Sequence, residues 1–439
     1  MHGSERKSHI ATRVHDNGDP MNNDRANDTL VLFTNQYPHD LVSEIFLDYE
    51  IPYLATEFKK VILVPSYPTS PERRTNRPLP PNVKILDSHM RNARSLRYYF
   101  QSLSKQELFH EFFDALTKRK CFPNVLSMLA FMAEALRTRD FVRRFVKENY
   151  EDSFSTVFYT YWFHAQTLGI GLVKSEFPHI KLVSRAHGYD LYEERYNPPY
   201  IPFRHLSFNY VDRLVPISEH GVKYLETRYS PFKSKLIMNR LGVPDPLFTT
   251  PPSRDGFFRI VSCSNLVKVK RVDLLIMGLA EAGKLRPGQT FLWSHIGTGP
   301  LLEEIETLTK QLLPKNVHYK FLGLLPHGEV MEYYRKNPVD VFINVSESEG
   351  IPVSIMEAQS CGIPAIATAV GGTPEIVTNE NGVLLKKDPT PREIANAIIE
   401  MIDNPFLAAE KRLRAKENWR QNYNAQVNFR KFVDLLRSI

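Results

Sequence analysis

The chain has 439 residues, 42% of them hydrophobic and 24% charged, which allows two large domains and excludes wholesale disorder or a fibrous repeat. Lys and Arg outnumber Asp and Glu by 56 to 49, an excess that suits anionic ligands or surfaces but falls short of a nucleic-acid binder. Cys121, Cys263 and Cys361 are too far apart to suggest a disulfide framework or a zinc site, and a reducing cytosol fits them best.

Residues 1–28 lack the apolar core of a secretory signal and read as a disordered leader. Apolar runs at 29–34 and 60–66 flank a helix-spaced segment at 41–49, which Pro52 is expected to end; strand, helix, strand opens a doubly wound parallel sheet. A Pro/Arg-rich loop at 67–81 precedes a helical insertion at 91–150, and the sheet resumes at 156–161 and 181–186. Within the insertion, the apolar stretch 125–136 is interrupted by Glu134 and is well short of the roughly 20 residues that span a bilayer.

The Pro-rich loop 242–255 divides an N-terminal domain, 29–242, from a C-terminal domain, 256–439. In the second domain, apolar runs at 259–263, 290–296, 319–322, 341–345 and 365–368 alternate with amphipathic stretches at 271–282, 300–312 and 327–336. From Pro391 the chain reads as helix to its end, and these last helices are expected to pack back on the first domain. The fold class is α/β: two doubly wound Rossmann-like domains facing across a cleft, with ligands in the loops after the strands.

The segment Glu349-Gly350-Ile351-Pro352-Val353-Ser354-Ile355-Met356-Glu357 follows one such run. Pro352 suits the first turn of a helix, Gly350 allows a ligand close to the backbone, and free amides at the helix start would hold a phosphate or sugar oxygen. Glu349 and Glu357 would approach one pocket, where carboxylates accept charge-assisted hydrogen bonds from hydroxyls.

The stretch 346–377, with its E-x7-E spacing and trailing Gly371-Gly372-Thr373-Pro374-Glu375, resembles the nucleotide-sugar site of family 4 glycosyltransferases, retaining enzymes of the GT-B fold. Lys270 within NLVKVKRVDLLI, His295-Ile296-Gly297-Thr298-Gly299-Pro300 and Phe321-Leu322-Gly323 match further motifs in the same order. More softly, Tyr159-Thr160-Tyr161-Trp162 and Arg185-Ala186-His187-Gly188-Tyr189-Asp190 look like the acceptor domain of members that build bacterial surface polysaccharides.

The resemblance implies a retaining hexosyltransferase that moves a sugar from a nucleotide-diphosphate donor to a glycan or lipid-linked glycan. By that resemblance His187, Glu349 and Lys270 serve catalysis. Glu357, Asn265, Gly297, Gly299, Gly323, Gly350, Ile351, Pro352, Val353 and Ser354 bind donor. Glu357 is given the ribose, Lys270 the diphosphate, and His187 the donor sugar from across the cleft. Asn265 stands where the family usually has arginine, so phosphate clamping must weaken or pass to Lys268 or Arg271; the alternative function is a catalytically silent sugar-nucleotide binder. No D-x-D occurs, so no metal and no cofactor are expected, the nucleotide sugar being a substrate.

Residues 91–150 hold twelve Lys/Arg against six Asp/Glu, interleaved with Tyr and Phe. Cationic and apolar surface together suit an anionic membrane. The expected place of work is the cytoplasm, peripherally on the inner face of the membrane; nucleic acid is not an expected partner.

Overall fold

The computed structural model describes residues 28–40, 43–67, 69, 71, 74–75, 77–86, 96–117 and 124–439. The expected leader, but for Asp28, and Cys121 lie outside them, as do Arg91, Arg94 and residues 118–120 of the basic segment.

Two parallel six-stranded sheets organise the chain. The first comprises β1 (Thr29–Thr34), β2 (Lys60–Pro65), β3 (Val83–Ile85), β4 (Thr156–Thr160), β5 (Lys181–Ala186) and β6 (Arg213–Pro216), in spatial order β3-β2-β1-β4-β5-β6. The second comprises β7 (Phe257–Cys263), β8 (Thr290–Ile296), β9 (Val317–Phe321), β10 (Val341–Asn344), β11 (Ala365–Thr368) and β12 (Gly382–Leu385), in order β12-β11-β10-β7-β8-β9. Central strands such as VFIN of β10 and AIAT of β11 are buried along their whole length, as helices on both faces of a parallel sheet require. This is the GT-B architecture. Strand order reverses between β1 and β4 and between β7 and β10, and the crevices at these two points are where such sheets receive ligands.

The first helix differs from expectation. It runs over Leu47–Glu57 with Pro52 inside it. Pro52 is exposed while Leu47, Ile51 and Leu54 are buried, so its missing N–H falls on the solvent side and core packing offsets the lost bond.

The last helix, Ala425–Arg437, is capped by Asn424, whose side chain accepts the N–H of Gln426 at 2.9 Å. It lies on the first sheet: Phe432 packs on Tyr159, ring centroids 5.2 Å apart, and under the Arg185 guanidinium at 3.7 Å. Arg185 and Glu50, 0% and 1% exposed, pair at 3.3 Å, and Tyr159 donates to Glu50 at 2.9 Å. Such a buried pair is costly unless fully hydrogen-bonded; here it anchors the end of β5, two residues before His187.

The helical insertion packs through helix Val125–Glu148, whose Leu136, Val142 and Val146 are fully buried. Arg137 is not part of a basic surface. It is 5% exposed, donates to the Ser66 carbonyl at 3.3 Å and lies 3.9 Å from Glu134. Arg143 pairs with Glu176 at 2.7 Å. Beside exposed Arg97, Arg144 and Lys147, the insertion exposes large apolar side chains: Leu96, Phe100, Phe109, Phe113 and Leu126 are 58–77% exposed. Among the described residues, no helix is long and apolar enough to cross a membrane.

Candidate functional site

A cavity of about 370 Å³ opens between the carboxyl ends of the two sheets. Its C-terminal wall is built at the β7/β10 reversal. Lys270, just after β7, reaches Glu349, in the loop after β10, at 2.6 Å, and Asn344 donates to the same carboxylate oxygen at 3.4 Å. Burial by itself would raise the Glu349 carboxyl, but the Lys270 charge and the hydrogen bonds leave it below the ordinary carboxylate range. Glu349 is therefore ionised.

At Gly350 the backbones of the two domains approach closely. A Cβ there would lie 2.6 Å from the His187 carbonyl oxygen of the opposite domain, so only glycine permits the approach. Helix Val353–Ser360 begins directly behind it, with no side chain capping its N-terminus; Ile351, Pro352, Val353 and Ser354 line the cavity. An uncapped helix start of this kind favours an anion.

Glu357, further along that helix, also lines the cavity. His327 Nδ1 stands 3.1 Å from its Oε1, and the Tyr49 hydroxyl donates to it at 3.4 Å from the other domain. Neither His327 nor Tyr49 was marked by any local motif.

Among the remaining expected donor residues, Asn265 and Gly297 line the cavity. Gly297 has φ +132, and a Cβ on it would meet the Ser264 carbonyl oxygen at 2.0 Å. Gly323 accepts the Gly297 N–H at 2.8 Å, and Gly299 packs on the Leu266 backbone. These two shape the wall from behind. Lys268 and Arg271 do not stand in for arginine at 265: neither lines the cavity. Arg271 is committed to the Val345, Ser346 and Lys387 carbonyls and to Asp388.

The N-terminal wall comes from the ends of β4 and β5. His187 is 6% exposed, and neither ring nitrogen has a hydrogen-bond partner among the described residues. Its Nδ1 is 3.7 Å from Asp190, too long for a hydrogen bond. A histidine buried purely for structure would be satisfied; this one lines the cavity with both nitrogens unpaired. Trp162 and Tyr189 stand beside it.

The domains are also pinned below the cavity. Glu375 accepts the backbone N–H groups of Glu219 and His220 at 3.0 and 2.8 Å, capping helix Glu219–Arg228 across the domain boundary.

Residues 248–422 match the family described as Glycosyl transferases group 1. The match covers most of the C-terminal domain. The matched residues include Lys270, Glu349 and Glu357, which form the C-terminal wall of the cavity. Among curated relatives, a protein named as the colanic acid biosynthesis glycosyltransferase WcaL of Escherichia coli K12 is 27% identical over 269 residues, 59% of this chain and 64% of its own. A GDP-mannose-dependent phosphatidylinositol monomannoside mannosyltransferase of Corynebacterium glutamicum is 25% identical over 220 residues, covering 48% of this chain and 53% of its own. The chain thus spans less than two thirds of the length of these curated relatives. Among solved structures, Anabaena HepE in complex with UDP superposes with a TM-score of 0.64 at 16% identity, covering 94% of this chain and all of its own. A lipopolysaccharide outer core galactosyltransferase, WaaB, superposes at 0.63 and 14% identity over 93% and 99%.

Proposed function

We propose that the chain is a retaining glycosyltransferase that moves a sugar from a nucleotide-diphosphate donor to a hydroxyl of a glycan or lipid-linked glycan in surface polysaccharide synthesis. One observation carries the reading: at the carboxyl ends of the two sheets, His187 with unpaired nitrogens lines one cavity together with Lys270, Glu349 and an uncapped helix start. The kinds of molecule handled by the relatives, UDP in HepE and colanic acid biosynthesis for WcaL by its name, support it.

In this mechanism the anomeric carbon–phosphate oxygen bond breaks through an oxocarbenium-like state while the acceptor hydroxyl attacks the same face. The departing β-phosphate takes the hydroxyl proton. Lys270 and the amides behind Gly350 stabilise its charge, Glu357 holds the ribose, and closure of the domains keeps out water. Glu349 binds sugar hydroxyls and is not a nucleophile. Diphosphate charge is met by these groups, so we propose that no divalent ion or cofactor is needed.

A screen of UDP- and GDP-sugars with glycan acceptors in EDTA tests the reading. Acceptor-dependent release of free nucleoside diphosphate is expected. Binding of a nucleotide sugar with no release under any acceptor would favour a silent binder.

We further propose that the enzyme works on a cytoplasmic membrane surface. The support is the exposed apolar face of helices Leu96–Leu103, Gln106–Thr117 and Val125–Glu148, with basic residues interleaved in the sequence, a combination that suits anionic lipid.

A further inference from the structure

Adjacent strands deliver Trp162 and Tyr189 to the N-terminal wall, with ring centroids 4.6 Å apart and 40° between planes. Trp162 is also 4.5 Å from the His187 ring. Both rings are partly exposed and line the cavity, whereas the other two tryptophans, Trp293 and Trp419, are 1% and 0% exposed.

This aromatic shelf is held by its rim. Trp162 Nε1 donates to Glu44 at 2.6 Å. The Glu44 carboxylate, on a residue 5% exposed, also accepts the backbone N–H groups of Asn35, Gln36 and Tyr37 at 2.7, 3.0 and 2.9 Å. Glu44 adopts φ +51 to do so, a left-handed conformation that is uncommon for a side-chain-bearing residue. Asn35 Nδ2 donates to the Tyr189 hydroxyl at 2.9 Å. The loop after β1 thus fixes both rings at the β1/β4 reversal and leaves ring surface toward the cavity, opposite the wall that accounts for the nucleotide.

A pyranose has an apolar C–H face and a rim of hydroxyls. The face of an aromatic ring carries the negative end of its quadrupole and removes apolar area from water when a C–H face stacks on it. Hydroxyls at the rim then need polar partners, and the free nitrogens of His187 lie next to the shelf. We propose that the Trp162–Tyr189 shelf binds a sugar ring of the acceptor, so that the receiving hydroxyl belongs to a glycan and not to a protein side chain or a bare lipid head group. The inference rests on the glycosyl-transfer reading of the same cavity.

Because Trp162 is the one tryptophan with exposed surface, its emission reports on the shelf. The experiment titrates the full chain with methyl α-glucoside, methyl α-mannoside, methyl β-galactoside and lactose by fluorescence, and with UDP, GDP and ADP by calorimetry. At least one glycoside is expected to give a saturable change that is absent in Trp162→Phe. The same glycoside should bind at least tenfold more weakly to Tyr189→Leu, which keeps the reporter and the Glu44 bond, while nucleotide affinity stays within twofold. A protein that binds a nucleotide but shows no glycoside response overturns the shelf and leaves the transferase reading standing. Loss of nucleotide affinity in Tyr189→Leu as large as the loss of glycoside affinity assigns the shelf to the donor and also overturns it. A glycoside response without any nucleotide binding overturns the transferase reading and with it the assignment of the shelf to an acceptor.

Discussion

Lys270 Nζ and Glu349 Oε1 stand 2.6 Å apart, with the side chains 24% and 10% exposed, so the cation assigned to the diphosphate is already paired with the carboxylate assigned to the sugar. Removing Lys270 alone leaves a buried carboxylate without its counter-charge, facing an anionic ligand. Lys270→Met is therefore expected to nearly abolish transfer and to weaken UDP or GDP binding. Lys270→Met/Glu349→Gln should regain part of the diphosphate affinity lost in Lys270→Met, with a coupling of about 1–3 kcal/mol in calorimetry. Strict additivity would mean that the pair does not face the diphosphate.

Asn265 lines the same cavity but is exposed and supplies no charge, and neither Lys268 nor Arg271 reaches in to replace it. Asn265→Arg should tighten free nucleoside diphosphate by about 1 kcal/mol, roughly fivefold, and slow turnover where product release limits it. Calorimetry with UDP and GDP checks the first expectation; unchanged or lower affinity would place the side chain away from the phosphates.

Much of this site was legible because each C-terminal motif directly follows an apolar run, and a doubly wound sheet puts such loops at one edge. Strands Val83–Ile85, Arg213–Pro216 and Gly382–Leu385 were not legible: three or four residues such as VKI or RLVP carry no apolar run long enough to stand out. Pro52 misled because its tolerance depends on which side of the helix meets solvent. Arg137 looked like surface charge because composition does not reveal that a guanidinium is enclosed by Ser66 and Glu134. Tyr49, His327 and Glu44 act across long sequence separations and carry no local pattern.

Glu357 is held by His327 at 3.1 Å and by Tyr49 at 3.4 Å, so the carboxylate assigned to the ribose is aimed by two residues from different domains. Glu357→Ala should weaken nucleotide binding by about 1.5–3 kcal/mol, the range of a charge-assisted hydrogen bond. His327→Phe, which removes the polar partner but keeps a ring, should give a smaller loss in the same titration. Wild-type affinity in both variants would make the cluster purely structural.

His295 is 0% exposed, with Nδ1 2.9 Å from Ser262 Oγ, and burial lowers its pKa from 6.5 to about 4. The ring stays neutral in the fold while the unfolded chain protonates it near pH 6.5. Its contribution is therefore complete above that pH and lost as pH falls toward the folded value. Stability should drop by roughly 2 kcal/mol between about pH 6.5 and pH 5 from this group alone. Urea unfolding at fixed ionic strength measures it; His295→Gln should flatten the slope over this window, and an unchanged slope would show that the fold does not lower the pKa of this ring.

The exposed face of the helical insertion supports the last prediction. Leu96 and Phe100, each 70% exposed, share helix Leu96–Leu103; Phe109 and Phe113, at 58% and 60%, share the next; Leu126, at 77%, begins the third. At four-residue spacing each helical pair lies on one side of its helix, so insertion into lipid would remove several large side chains from water at once. Since Arg137 is enclosed and Arg143 is paired, apolar insertion carries more of the binding than those two charges do. Leu96→Ser/Phe100→Ser/Leu126→Ser is expected to reduce cosedimentation with anionic liposomes at least tenfold. Lys147→Glu/Arg144→Glu, both exposed, should reduce it less and only at low salt. The triple variant alters no cavity residue, so its thermal unfolding and its affinity for UDP or GDP should match wild type. Undiminished cosedimentation of the folded triple variant would remove the membrane surface from the account and leave the cavity's chemistry as argued.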